Sequence, residues 1–500
     1  MDVLGQLALG FSIAVTPQNL LFAFAGALIG TMVGILPGIG PAAGIALLLP
    51  VTFGLPPVSS LIMLAGIYYG SMYGGTLTSV LINTPGESAS VATTFDGYRM
   101  ALQGRAGAAL GIAAIGSFLA GTLGVIALML AAPPLADLAV MFGPPEYFAL
   151  AALGLLTIAG LGGGSALKAL ISAIAGLALA TVGSDPLLGS QRFTFGVFEL
   201  YDGLEFLPVA VGLFGIAEVF VNLAERVRLA PIRASFSGLI PSWADWVASR
   251  GAMLRGGIVG FAIGVLPGAG ATIASFVSYG LERRISKHPE RFGKGAIEGV
   301  AAPESANNAA TAGAMVPLLA LGIPGSATTA VLLAAFILYG LRPGPLLLTE
   351  HPEIFWGLIA SMYVGNVMLL FLNLPAAPLF ASLLRLPYSV IAAGILGISL
   401  AGAYSLNNSI FDIWVALAFG VLGYAMKRLG FPAAPLILAL VLGPLLEMSL
   451  RQSLTISHGS LAIFATRPAS AVLLLIGLLG LTGPALWRLL RRPNRKGVTP

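Results

Sequence analysis

The stretch Pro303-Glu-Ser-Ala-Asn-Asn308 gathers a carboxylate, a hydroxyl and two carboxamides inside an otherwise apolar region. A carboxylate at membrane depth costs about 2.5–3.5 kcal/mol on insertion scales, so it needs a partner or a role. Ser305, Asn307 and Asn308 have the donors and acceptors to hold an anionic substrate or a cation. Glu304 would then fix the loop or complete a cation site with Asn308. The competing reading puts Glu304 at the cytoplasmic interface, with serine and asparagine capping a helix start. Glu87 and Ser88 are open to a similar pair of readings, as ligand groups or as residues favoured by the dipole at a helix N-terminus.

Four Pro-Gly sequences interrupt apolar stretches: Pro37-Gly-Ile-Gly40, Asn83-Thr-Pro-Gly-Glu-Ser88, Pro267-Gly-Ala-Gly270 and Gly322-Ile-Pro-Gly-Ser-Ala327. Proline removes a backbone donor and clashes with the preceding turn, while glycine permits positive φ. Each break therefore leaves free N–H groups at one half-helix start and free carbonyls at the other half-helix end. The N–H ends suit a carboxylate and the carbonyl ends suit Na⁺. The candidate substrate ligands are Gly38, Gly40, Thr84, Gly86, Ser88, Gly268, Gly270, Gly325 and Ser326, together with Ser305, Asn307 and Asn308. The candidate cation ligands are Asn83, Glu304 and Asn308. A lone Pro-Gly would be read as a kink or turn; four in matched pairs argue for a site.

The elements that must carry these residues are membrane helices. Of 500 residues 57% are hydrophobic and 9% charged, with a mean hydropathy of +0.95. A water-soluble chain carries roughly 25% charged residues. Apolar stretches of crossing length, roughly 17 residues or more, recur along the chain and predict an all-α polytopic membrane protein with about 11 crossings. The absence of cysteine excludes disulfides and thiolate metal sites. His288, His351 and His458 are too scattered for a metal centre. No GxSxG, HExxH or Walker lysine pattern occurs, so neither an enzyme nor an ATPase is expected. Nucleic acid is not an expected partner, because the basic excess falls on membrane-flanking loops. The first residues lack a basic n-region and an A-x-A cleavage site and are read as mature protein.

Loop charge orients the path, since Lys and Arg stay cytoplasmic. Segment 224–255 carries Arg226, Arg228, Arg233, Arg250 and Arg255 against Glu225 and Asp245. Segment 281–296 carries Arg283, Arg284, Lys287, Arg291 and Lys294 against Glu282 and Glu290. Both read as cytoplasmic, as does the tail with Arg488, Arg491, Arg492, Arg495 and Lys496. Segment 184–205, with Asp185, Glu199, Asp202 and Glu205 against Arg192, reads as periplasmic. The apolar stretch between the first two must enter and leave on one side, as a re-entrant hairpin of two half-length arms. Such backbone is tolerated only beside protein or a water-filled cavity.

The breaks also repeat. Gly34-Ile-Leu-Pro-Gly-Ile-Gly40 matches Gly264-Val-Leu-Pro-Gly-Ala-Gly270 at an offset of 230, and Thr84-Pro-Gly86 matches Ile323-Pro-Gly325 at 239. The uncharged stretch 51–66 corresponds to the basic 281–296, which places equivalent loops on opposite faces. The expected organisation is two inverted repeats. Repeat 1 covers 1–223, with a hairpin at 20–54 and a broken helix at 59–95. A cytoplasmic linker covers 224–255. Repeat 2 covers 256–446, with a hairpin at 254–281 and a broken helix at 297–339. Residues 447–500 form a C-terminal helix and a cytoplasmic tail. Inverted repeats place their substrate site near the midplane, at the repeat interface. The positions corresponding to 304–308 in repeat 1, Ala65 to Tyr69, lack the polar cluster.

The paired LPGxG motifs, Asn83-Thr-Pro-Gly-Glu-Ser88, the run from Pro303 to Ser326 and Tyr339-Gly-Leu-Arg-Pro-Gly-Pro345 resemble the large membrane subunit of tripartite tricarboxylate transporters. The resemblance runs from about residue 20 to 470 and implies an ion-driven secondary transporter of the bacterial inner membrane. It further implies an organic carboxylate as substrate, a small integral membrane subunit and a periplasmic solute-binding protein. No cofactor is implied beyond a coupling ion. With no Lys or Arg in the broken segments, Na⁺ coupling fits better than direct ion pairing, and proton coupling through Glu304 or Glu87 stays open. A passive channel would share the composition, but paired breaks in inverted repeats are more typical of alternating access.

Overall fold

The computed structural model describes residues 3–36, 38–161, 165–185, 188–225, 238–268, 270–383 and 388–490. Pro37 and Ala269 of the breaks, Arg226, Arg228 and Arg233 of the linker, and the basic residues beyond 490 lie outside the described residues. The chain is almost wholly helical. Among the described residues the strand structure is one two-residue ribbon, Gly183–Ser184 paired antiparallel with Gln191–Arg192.

Seven helices are long and apolar enough to cross a membrane, from Pro17–Ile35 to Ala433–Ile456. The chain is thus an all-α, multi-pass membrane protein. Two further long helices, Pro57–Ile82 and Glu298–Leu321, are buried along nearly their whole length. A helix buried on all sides needs no lipid-facing stripe, which is why polar residues survive in both.

The two copies are built alike. In the first, Pro17–Ile35 and Gly40–Leu48 form the hairpin, followed by the broken pair Pro57–Ile82 and Val91–Leu102. In the second, Trp243–Gly264 and Gly270–Ile285 precede Glu298–Leu321 and Ala327–Leu338. The first arm of the second hairpin has 22 residues, about 33 Å at the α-helical rise. It is longer than the half-length arm expected, because the helix starts at Trp243, ahead of the apolar stretch. The Ser242 hydroxyl caps that start by accepting the Asp245 N–H.

Glycine ridges join hairpin to broken helix. Gly26, Gly30 and Gly34 lie against the carbonyls of Met63, Ile67 and Ser71, and Gly256, Gly260 and Gly264 against those of Ala302, Ala306 and Ala310. A Cβ at any of the six would stand closer than 3.0 Å to the backbone opposite. Small residues at this spacing let membrane helices approach to backbone contact. The glycines keep the 230-residue offset and their partners the 239-residue offset, so the duplication extends to contacts.

The long helices end by the same device. Asn83 at φ 54° and Gly322 at φ 71° are equivalent left-handed C-caps. Asparagine is one of the few residues that accept this conformation without glycine.

Candidate functional site

The second halves of all four broken elements begin at one place. A cavity of about 750 Å³ is lined by Gly38, Gly40, Gly86, Ser88, Gly268, Gly270 and Ser326. These residues open the helices Gly40–Leu48, Gly270–Ile285 and Ala327–Leu338, and the turn Ser88–Ser90 that leads into Val91–Leu102. Four helix N-termini thus bring positive dipole ends to one space, which favours an anion.

Backbone bonds hold the breaks in position. The Gly38 N–H donates to the Gly86 carbonyl at 3.1 Å, and the equivalent Gly268 N–H donates to the Gly325 carbonyl at 2.8 Å. Each loop of a hairpin is therefore tied to the break of its own broken helix. Gly325 contributes this carbonyl without lining the cavity. Across the repeats, the Ser88 and Thr272 hydroxyls are 2.7 Å apart. Ser326 and Thr329 form a reciprocal capping box, with the Thr329 N–H donating to Ser326 Oγ and the Ser326 N–H to Thr329 Oγ1.

Further residues complete the wall. Thr272, Thr328, Tyr68, Glu87 and Lys427 also line the cavity. Lys427 is half-exposed and pairs through Nζ with Glu218 Oε2. The buried Glu218 carboxylate lies against Gly38, where any Cβ would collide with it. Gly38 is also at φ +86°, so two independent constraints demand glycine there. Lys427 lies in the last turn of the helix Ile410–Leu429. Its arrival at the cavity depends on packing between the helices Ala217–Glu225 and Ile410–Leu429, which no local motif encodes.

The polar cluster lies elsewhere. Glu304, Ser305, Asn307 and Asn308 are each at most 2% exposed and do not line this cavity. Glu304 Oε2 accepts the Thr76 hydroxyl at 2.6 Å and Asn307 Nδ2 at 3.3 Å, while Oε1 accepts the Thr93 hydroxyl. Asn308 Nδ2 donates to Ser117 Oγ at 2.8 Å and to Asn307 Oδ1 at 2.6 Å. Ser305 Oγ is buried near Gly116 without a hydrogen-bond partner. Thr76, Thr93 and Ser117 all belong to the first copy, so the cluster is a polar seam between the copies. Glu304 lies within the helix Glu298–Leu321 and not in a loop.

Asn83 and Thr84 do not line the cavity either. Asn83 borders a separate cleft of about 540 Å³ with Tyr98, Arg99 and Arg283. The Thr84 hydroxyl donates to the Ile82 carbonyl.

A multi-pass helical bundle with an anion-suited cavity where two copies of a broken unit meet has the architecture of a membrane transport protein. The chain belongs to the tripartite tricarboxylate transporter TctA family, whose model matches residues 20–438. It is therefore a transporter subunit and not an enzyme. It is 50% identical over 478 residues to an Agrobacterium vitis protein described as the uncharacterized 52.8 kDa protein in the TAR-I ttuC' 3' region, covering 96% of this chain and 95% of the relative. A second Agrobacterium vitis protein, from the TAR-II ttuC' 3' region, is 49% identical over 219 residues, 44% of this chain and 90% of that one. No solved structure matches.

Proposed function

We propose that the chain imports a small organic carboxylate across the bacterial inner membrane by cation-coupled alternating access between two inverted repeats. The observation that carries this reading is the convergence of four helix N-termini on the 750 Å³ cavity. A di- or tricarboxylate placed there has one carboxylate against the glycine N–H groups and another within the field of Lys427. The hydroxyls of Ser88, Thr272, Ser326 and Thr328 supply neutral donors around it. A periplasmic solute-binding protein delivers the acid and a small integral membrane subunit completes the complex, in keeping with the tripartite family. The basic tail puts the C-terminus in the cytoplasm.

The test is counterflow in proteoliposomes holding the complete complex. Preloading with unlabelled organic acid should drive transient accumulation of the labelled acid, as a carrier requires. Equilibration without overshoot would indicate a passive channel instead.

A further inference from the structure

Two of the buried carboxyl groups near the junction of the copies, Glu304 and Glu87, have different surroundings. Both oxygens of Glu304 are engaged, by the hydroxyls of Thr76 and Thr93 and the carboxamide of Asn307. Three donors meet its two oxygens, so neither oxygen is left without a partner. Glu87 is 5% exposed and lines the cavity. Its Oε2 accepts the Ala89 N–H at 2.7 Å, with the Ser90 N–H beside it. Its Oε1 is buried and has no hydrogen-bond partner.

A buried carboxylate with one bare oxygen is costly unless it is neutralised. We propose that Glu87 is the group that carries the coupling ion, and that the ion is a proton bound at Oε1. This rests on the transport reading above. The step is simple in balance: Oε1 gains one proton from cavity water, its charge goes from −1 to 0, and the same proton leaves when the opposite side opens. A proton requires one free lone pair, whereas a sodium ion requires a shell of oxygens. Of the hydroxyls lining the cavity, those of Ser88 and Thr272 already pair with each other and that of Ser326 is held in its capping box with Thr329. The Ser90 hydroxyl next to Glu87 donates to the Glu87 backbone carbonyl at 2.9 Å.

The charged and titratable groups around Glu87 fit this role. Glu304 acts on it electrostatically from Glu298–Leu321, and Tyr68 interacts with it from Pro57–Ile82. Lys427, paired with Glu218, lines the same cavity from Ile410–Leu429. An anionic substrate arriving among the four helix ends adds negative charge near Glu87, which strengthens its hold on a proton. Substrate and proton would therefore bind together, as symport requires.

Infrared difference spectra of the detergent-solubilised full chain, recorded across a pH series, test the assignment without any substrate. The wild type should show a protonated-carboxyl band that fades as pH rises. Glu87→Gln should lose this band and Glu304→Gln should keep it. In the reconstituted complex, the stimulation of uptake by an inward pH gradient should fall to unity in Glu87→Gln, and Glu87→Asp should partly restore it. A band that survives in Glu87→Gln, or one that responds to sodium and not to pH, would overturn the proposal. Because the spectral arm needs no transport, a wild type that failed to carry organic acids would count against the transport reading alone.

Discussion

The backbone N–H of Gly268 donates to the carbonyl of Gly325 at 2.8 Å, the same bond that Gly38 makes to Gly86 at 3.1 Å in the other copy. Each bond ties a hairpin loop to a helix break, and together they bring the four breaks around one cavity. The scaffold is symmetric down to this contact, while the side chains around it are not. Thr272 in the second copy stands where the first has Ala42, and both line the cavity. The polar cluster at 304–308 has no counterpart at all.

The glycine ridges should be intolerant of any side chain. Gly260→Ala or Gly30→Ala forces the helices apart and should cost about 1–3 kcal/mol, the range for overpacking a core. Gly280, where an added Cβ would meet nothing within 4 Å, is the control. Melting temperatures in detergent should fall for the first two and stay level for Gly280→Ala. Equal melting of all three would show that the close approach is dispensable.

The seam at Glu304 should behave as structure. Asn308→Ala removes the donor to Ser117 and Asn307, and a lost buried partner costs about 1–3 kcal/mol. Melting should drop, while the half-saturation for organic acid stays near that of the wild type. Ser326→Ala should reverse the pattern, weakening half-saturation more than stability. A large affinity loss in Asn308→Ala at unchanged melting would restore the cluster as a ligand site.

The absence of cysteine makes the orientation of the repeats measurable. Val51 is 58% exposed and lies in the uncharged loop of the first copy; Lys287 lies in the corresponding basic loop of the second. Val51→Cys should react with an impermeant thiol reagent from the periplasm and Lys287→Cys from the cytoplasm. Labelling of both from one side would contradict the inverted arrangement.

The sequence carried the repeat and the breaks, because Pro-Gly chemistry is local and a duplication preserves it in order. Seven of the twelve residues expected to bind substrate line the cavity: Gly38, Gly40, Gly86, Ser88, Gly268, Gly270 and Ser326. Thr272 and Lys427 were not legible, since each reaches the cavity by packing between segments far apart in sequence. Asn83, expected as a cation ligand, borders the separate cleft and not the cavity, and its left-handed backbone, shared with Gly322, gives asparagine a structural reason there as well. Glu304, Asn307 and Asn308 showed that a polar group was buried but not which wall it faced, and helix rotation decides that. The ridge Gly26, Gly30, Gly34 and its copy at Gly256, Gly260, Gly264 takes its meaning from the facing carbonyls, which only the packed helices bring together.

The most direct measurement of the central claim is protection of the cavity from alkylation. Ser326→Cys places a thiol on the cavity wall, and Asn83→Cys places one in the separate cleft beside Arg99. With the organic acid retained by the cognate binding protein present at ten times its dissociation constant, alkylation of Ser326→Cys should slow by about tenfold, as occupancy requires. The rate at Asn83→Cys should not change. Equal rates at Ser326→Cys with and without acid, in a complex that still transports, would mean the substrate passes elsewhere.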